Sequence, residues 1–257
     1  MTSVEGTSLA SAVDLLAAIE DGRLLLHYQG VFDVATGALR GAEALIRWDH
    51  AELGMLAPAS FLPGDMSGGL GWALTNFVLE EALRQTAAWW RSGHRIGISV
   101  NIAPGRLADD VLPERIAALL AREDLPAQAL TVEITEHRCN IDPEGIREAL
   151  VALTRLGVRI SLDDFGTGES SLIRLRHLHF DEIKIDRQFV SEVASDPADR
   201  NIVRFVTELA HGLGSRVVAE GVETEESLSA LRGLGVDLAQ GFLLHRAGAA
   251  GSSSVVP

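Results

Sequence analysis

Residues 24–48 read LLLHYQGVFDVATGALRGAEALIRW. Two runs rich in Leu, Ile and aromatic residues, Leu24–Gln29 and Ala42–Trp48, flank a turn-forming VATGA at Val34–Ala38. Each run has the length and composition of a β-strand. A parallel pair needs a crossover of about a dozen residues or more, and this link is too short to hold a helical one. The two strands are therefore expected to lie antiparallel, side by side.

Outward from this segment the pattern changes. Six more short apolar runs follow, at Gly97–Asn101, Leu130–Thr135, Arg159–Asp163, Glu182–Ile185, Arg216–Ala219 and Leu238–Gln240. Longer amphipathic stretches fall between most of them: Leu74–Ser92, Pro113–Arg122, Pro143–Leu156, Ser170–Leu178, Asp199–Leu213 and Thr224–Leu234. Leu79, Leu83 and Ala87 recur at helical spacing. Thr224, followed by Glu225 and Glu226, reads as a helix cap with acids in the first turn. Strand–helix alternation repeated this often predicts a parallel sheet. Eight strands predict closure, so the expected fold is α/β, a TIM-like (β/α)8 barrel with its first strand antiparallel. The 257 residues suit one such domain. It is expected to span residues 15–246, after an N-terminal extension (1–14) and before a loosely ordered tail (247–257).

Composition narrows the functional classes. The formal net charge is −14. That argues against broad binding of nucleic-acid polymers or anionic membranes, which needs a basic surface. It leaves room for a small anionic ligand, because clustered carboxylates can hold cations that reverse the local sign. No apolar run approaches the ~20 residues of a membrane span, and the first residues lack the pattern of a signal peptide. Cys139 is the only cysteine, so no intrachain disulfide can form. A cytoplasmic protein fits these features.

The polar residues gather on the candidate strands. Glu43 and Arg47 lie in the second, and Asn101 ends the third. Glu133 lies in the fourth and Glu136 just after it; Asp163 and Asp164 close the fifth. Lys184 is in the sixth, Glu220 follows the seventh, and Gln240 ends the eighth. Taken singly, each has an ordinary structural explanation. Glu43 could pair with Arg47, Asn101 could cap the next segment, Asp163-Asp164 could be a turn, and Lys184 could be a salt-bridge partner. Together these explanations do not account for five acids and an amide converging where barrels of this kind keep their active sites, since buried charge is costly without a partner. Hard oxygen donors suit Mg²⁺ or Mn²⁺ better than Zn²⁺. The histidines offer no competing site: His177 and His179 lack a third ligand nearby in sequence. His27, His50 and His211 read as structural or surface residues, and Cys139 as inert.

At this point the chain resembles a known family, the bacterial EAL domains. Glu43-Ala44-Leu45 matches the triplet that names it, and an ordered series follows: SVNIAPGRL (99–107), VEITEH (132–137), LDDFGTGESSL (162–172), IKIDRQFV (183–190), VVAEGVETEESL (217–228) and AQGFLLHR (239–246). The resemblance implies a two-metal phosphodiesterase that opens cyclic di-GMP to linear pGpG in second-messenger signalling. Glu43, Asn101, Glu133 and Asp163 would hold one Mg²⁺ or Mn²⁺. Asp163 would bridge to a second ion held with Asp164 and Glu220. Lys184 would help position or deprotonate the attacking water, with a pKa lowered by the ions, and Gln240 would bind near the attacked phosphate or its water. Gln29, Leu45, Arg47 and Asp186 would contact the dinucleotide. Glu136 and Glu223 would hold the loop after Asp164, through which a homodimer is expected. The sequence departs from the usual family pattern at Gly30 (commonly Pro), at Gly64–Met66 (Met66 commonly Glu), at Glu169 (commonly aromatic) and at Ala247 (commonly Pro). The competing readings are a catalytically inactive EAL domain acting as a cyclic di-GMP receptor or protein-interaction module, and an unrelated metal-assisted hydrolase on a similar barrel.

Overall fold

The computed structural model describes residues 12–62, 68–135, 143–166 and 178–250. Eight strands close into a ring. In chain order they are β1 (Leu24–Asp33), β2 (Leu39–His50), β4 (Gly97–Asn101), β5 (Leu130–Thr135), β6 (Arg159–Phe165), β7 (Glu182–Ile185), β8 (Arg216–Ala219) and β9 (Leu238–Ala239). Each pairs in parallel with the next from β2 to β9. β1 runs against both of its neighbours in the ring, β2 and β9, and so closes the barrel. Two short strands lie outside the ring: β3 (Gly54–Leu56) extends β2, and β10 (Gly248–Ala249) extends β1.

The reversal at the first hairpin has a local cause. Asp33 accepts from both the amide and the hydroxyl of Thr36, each at 2.8 Å. The Gly37 amide donates to the Asp33 carbonyl at 2.8 Å, and Gly37 takes a positive φ of 69° that favours glycine. These bonds with Thr36, then the Arg40 guanidinium, lower the Asp33 pKa to about 2.

The helices are α1 (Ala12–Glu20), α2 (Pro58–Phe61), α3 (Gly68–Arg91), α4 (Pro104–Leu107), α5 (Val111–Arg122), α6 (Pro143–Leu156), α7 (Arg187–Val190), α8 (Pro197–Gly212) and α9 (Glu225–Gly233). The long ones pack around the barrel and bury its outer face. β5 shows the division of labour: every residue from Leu130 to Ile134 is buried. Leu130, Val132 and Ile134 join the hydrophobic core, while the alternate Thr131 and Glu133 line a cavity inside the barrel. On β1, Tyr28 faces outward and meets Trp89 of α3 edge to face, with ring centroids 5.1 Å apart. Thr224 caps α9 as expected, its side chain accepting from the Ser227 amide.

Several boundaries differ from the sequence reading. α1 starts at Ala12 and buries Leu15 and Ala18, although no helix was expected there. α3 starts at Gly68 rather than Leu74, because Leu70 and Trp72 pack against the core and offset the low helix propensity of GGLG. Gly248–Ala249 pairs with His27–Tyr28 although the tail from Ala247 reads as loose. The expected helix Ser170–Leu178, the residues Glu136, Cys139, Glu169 and His177, and the segment Gly64–Met66 lie outside the described residues, Leu178 excepted. Among the described residues, no helix is long and apolar enough to cross a membrane.

Candidate active site

β2, β5, β6 and the residue after β8 bring four carboxylates onto one ammonium carried by β7. Lys184 Nζ lies 2.6 Å from Glu220, 2.9 Å from Glu133, 3.2 Å from Glu43 and 3.3 Å from Asp163. The lysine is only 2% exposed. It points inward because it alternates with Ile183 and Ile185, which belong to the core.

Two amides complete the cluster. Asn101 Nδ2 donates to Glu43 at 2.8 Å and to Glu133 at 3.4 Å. Gln240 Nε2 donates to Glu43 at 2.8 Å and to Glu220 at 3.2 Å. Among the described residues, Gln240 Oε1 and Asp163 Oδ1 are buried with no hydrogen-bond partner. The latter lies at ion-pair distance from Lys184 but without hydrogen-bond geometry.

Asp163 and Asp164 are consecutive, so regular alternation would send one of them out of the barrel. The structure prevents this with a β-bulge. Leu162 pairs with Ile183 and Phe165 with Ile185, so one extra residue is inserted on β6. Asp164 takes a left-handed φ of 57°, a conformation that stores strain in a residue other than glycine. As a result Asp163, Asp164 and Glu220 each offer an oxygen within 4.8 Å of the others. Glu220 is set by a second close approach: a Cβ on Gly241 would fall 2.1 Å from the Val222 carbonyl, so only glycine lets the segments after β8 and β9 touch.

One ammonium cannot neutralise four carboxylates. Burial pushes Glu220 up to about 8, with Lys184 opposing and Asp163 and Glu43 adding to the rise. Burial, then Glu43, also holds Glu133 well above the usual carboxylate range. Glu43 is also opposed by burial, but Lys184, Gln240 and Asn101 outweigh it and lower its pKa. Burial alone would lower Lys184, yet Glu133, Glu220, Glu43 and Asp163 outweigh it and raise its pKa well above normal. Without cations, surrounded by acids, the ammonium is held charged. The excess of negative charge, the all-oxygen donor set and the unpartnered Asp163 and Gln240 oxygens fit divalent cations. Asn101 fits as well, since a turn of its amide exchanges nitrogen for oxygen.

The other expected residues sit around this centre. Gln29 lies directly opposite Glu43 across the β1–β2 pair, on the same face. Leu45 lines an apolar pocket of about 240 Å³ that Asn101 borders, with Pro58, Leu62, Leu74 and Val78. Arg47 is half-buried, and its guanidinium donates to the Ile46 carbonyl at 2.8 Å. Asp186 caps α7 by accepting from the Gln188 amide at 2.8 Å. Glu223 is exposed, and the loop it was expected to hold (167–177) lies, like Glu136, outside the described residues. His50 and His211 behave as read: His50 accepts from the Glu52 and Leu53 amides, and His211 bonds Asp237. His27, read in the same way, is opposite Leu45, and burial and then Arg47 lower its pKa. His245 escaped the reading: it contacts β1, and no local signal marks it.

Comparison with known proteins agrees with this geometry. The EAL domain profile matches residues 12–247. MucR of Pseudomonas aeruginosa, named a bifunctional diguanylate cyclase/cyclic di-GMP phosphodiesterase, is 40% identical over 234 residues, 91% of this chain and 34% of MucR. RocR of the same organism, named a cyclic di-GMP phosphodiesterase, is 36% identical over 247 residues, 95% of this chain and 62% of RocR. The chain thus spans less than two thirds of these curated relatives. A solved MucR phosphodiesterase in complex with c-di-GMP matches with a TM-score of 0.86 at 40% identity, covering 93% of this chain and 97% of that one.

Proposed function

This chain belongs to the EAL domain family, and from that premise we propose that it is a metal-dependent phosphodiesterase that hydrolyses cyclic di-GMP to linear pGpG. The observation that carries the reading is the buried lysine inside four carboxylates, an arrangement with too much negative charge to serve stability alone. Glu43, Asn101, Glu133 and Asp163 would hold one Mg²⁺ or Mn²⁺, and Asp163, Asp164 and Glu220 a second. Two such ions, when bound, neutralise charge on the phosphodiester and make water a stronger acid.

The chain's own groups do the rest. Gln29, Leu45, Arg47 and Asp186 contact the dinucleotide. Gln240, anchored to Glu43 and Glu220 through its nitrogen, keeps Oε1 available to accept from and orient the water near the attacked phosphate. Lys184 holds a proton at Nζ in the resting protein and takes part in proton transfer from the attacking water once cations offset the acids around it. Water oxygen bonds to phosphorus, one P–O bond to ribose breaks, and the freed ribose oxygen takes up a proton. Glu136 and Glu223 hold the loop after Asp164. A cytoplasmic homodimer is the form this reading expects.

The test is to incubate the protein with cyclic di-GMP and Mg²⁺, then Mn²⁺, and separate the nucleotides by chromatography, with Glu43→Ala as control. A pGpG peak absent from the variant supports the enzyme. Nucleotide bound but not cleaved with either metal would make the chain a receptor instead.

A further inference from the structure

The barrel seam on β1 is incomplete. Along the edge away from β2, β9 pairs with Phe32–Asp33 and β10 with His27–Tyr28. Between them the edge of Gln29–Val31 meets no strand among the described residues, although a backbone N–H there still needs an acceptor. His245 fills the gap. Its ring Nδ1 accepts from the Gly30 amide at 3.3 Å, and its backbone carbonyl accepts from Gln29 Nε2 at 3.3 Å. With Nδ1 accepting, Nε2 is the ring nitrogen left to donate.

His245 is itself held in place. Its amide donates to the Gly241 carbonyl at 2.9 Å, the Leu243 amide donates to the Val222 carbonyl at 3.1 Å, and the Gln240 amide donates to the Ala219 carbonyl at 2.9 Å. The turn that carries His245 is therefore continuous with Gln240, which touches Glu43 and Glu220. On the other side of the latch, Gln29 faces Glu43 across the strand pair. A carbonyl can only accept, so the bond to His245 sets which end of the Gln29 amide is which: nitrogen to the seam, Oε1 turned away from it. Glycine suits position 30 because a Cβ there would lie 2.6 Å from the Phe32 ring.

We propose that His245 is a positioning residue for substrate recognition, locking the Gln29 amide so that its oxygen accepts from an N–H or O–H donor of the dinucleotide. The inference rests on the reading of Gln29 as a dinucleotide contact. It assigns Gln29 an acceptor role and makes the segment after Gln240 part of the recognition surface.

Steady-state kinetics with cyclic di-GMP test it, with Kd for the same nucleotide measured by calorimetry. His245→Ala should raise KM and Kd by about fivefold, the effect of one ordinary hydrogen bond, with kcat within about twofold of the parent. His245→Asn, whose Oδ1 can replace Nδ1 as acceptor, should restore most of the affinity. Gln29→Ala combined with His245→Ala should bind no worse than Gln29→Ala alone, because the His245 ring acts on binding only by holding in place the backbone carbonyl to which the Gln29 amide donates. An unchanged KM in His245→Ala of an active parent, or fully additive losses in the double variant, would overturn this inference and leave the enzyme reading intact. A fall in kcat equal to the rise in KM, unrescued by Asn, would make His245 merely structural and also overturn it. A parent protein that neither binds nor cleaves the nucleotide removes the enzyme reading and this inference together.

Discussion

The two ends of the barrel interior carry opposite charge. At the carboxyl ends of the strands, Glu43, Glu133, Asp163 and Glu220 crowd one lysine. At the amino ends, Arg40, Arg159 and Arg216 line the far side of a cavity of about 40 Å³ with a single acid, Glu182, among them. That basic end is largely paired: Arg216 meets Glu182 at 2.5 Å and Arg40 meets Asp33 at 3.0 Å. The same strands build both ends, with the same inward alternation. The difference is balance. The arginine end is compensated and half open to water, as a structural end should be. The acidic end is buried and uncompensated, a conflict that proteins keep where function requires it.

The largest effect should come from removing the lysine. Lys184→Ala leaves the acids without a counter-charge, so turnover should fall by about 10²–10⁴-fold. The ion-free protein should lose about 3–5 kcal/mol of stability by denaturant unfolding. Mg²⁺ or Mn²⁺ should recover part of that stability. A Lys184→Ala protein as stable and active as the parent would erase the contrast between the two ends.

Removing an acid should split activity from stability. Glu220→Gln is expected to cut turnover by about 10²-fold or more while raising the melting temperature of the ion-free protein by a few degrees, at about 2–4 °C per kcal/mol for a domain this size. A fall in both would mean that Glu220 is compensated like the arginine end.

The pH dependence follows from the same residue. The Glu220 carboxyl titrates near 8 in the folded chain against 4.5 for an ordinary glutamate. Between those values the folded state keeps a proton that the unfolded state releases. Its contribution to stability is therefore complete below about pH 4.5 and is lost as pH rises towards 8. Ion-free thermal melts should show that decline, and Mg²⁺ or Mn²⁺ should raise the melting temperature more at pH 8 than at pH 6. Equal metal effects at both values would argue against cation binding by this carboxylate.

The smallest effect is expected at the other end. Arg216→Ala removes a half-exposed partner of Glu182 and should cost about 1 kcal/mol or less, with kcat within about twofold of the parent. A large loss of turnover would mean that the arginine end communicates with the acids across the cavity.

Much of this was readable along the chain. β4, β5, β7 and β8 match the sequence reading residue for residue, because strands buried on both faces leave short apolar runs broken by isolated polar residues. Glu43, Asn101, Glu133, Lys184 and Gln240 stood out for the same reason: polar groups recurring in apolar strands demand partners. The short VATGA link was enough to reverse β1, and Thr224 to start α9. Helix starts were less legible, since GGLG before α3 gains its helical form from the burial of its neighbours rather than from propensity.

The sequence by itself thus determined the strand–helix order, the reversed first strand and the identity of the acidic centre, all of which depend on spacing between near neighbours. Tertiary structure alone decided three further things. The bulge turned both Asp163 and Asp164 into the site by inserting one residue against β7. Crowding by acids from four other segments holds Lys184 charged in the ion-free protein. And His245 met Gly30 from 215 positions away. Each of these depends on groups distant in sequence, set beside one another when the barrel closes, which no local pattern of residues encodes.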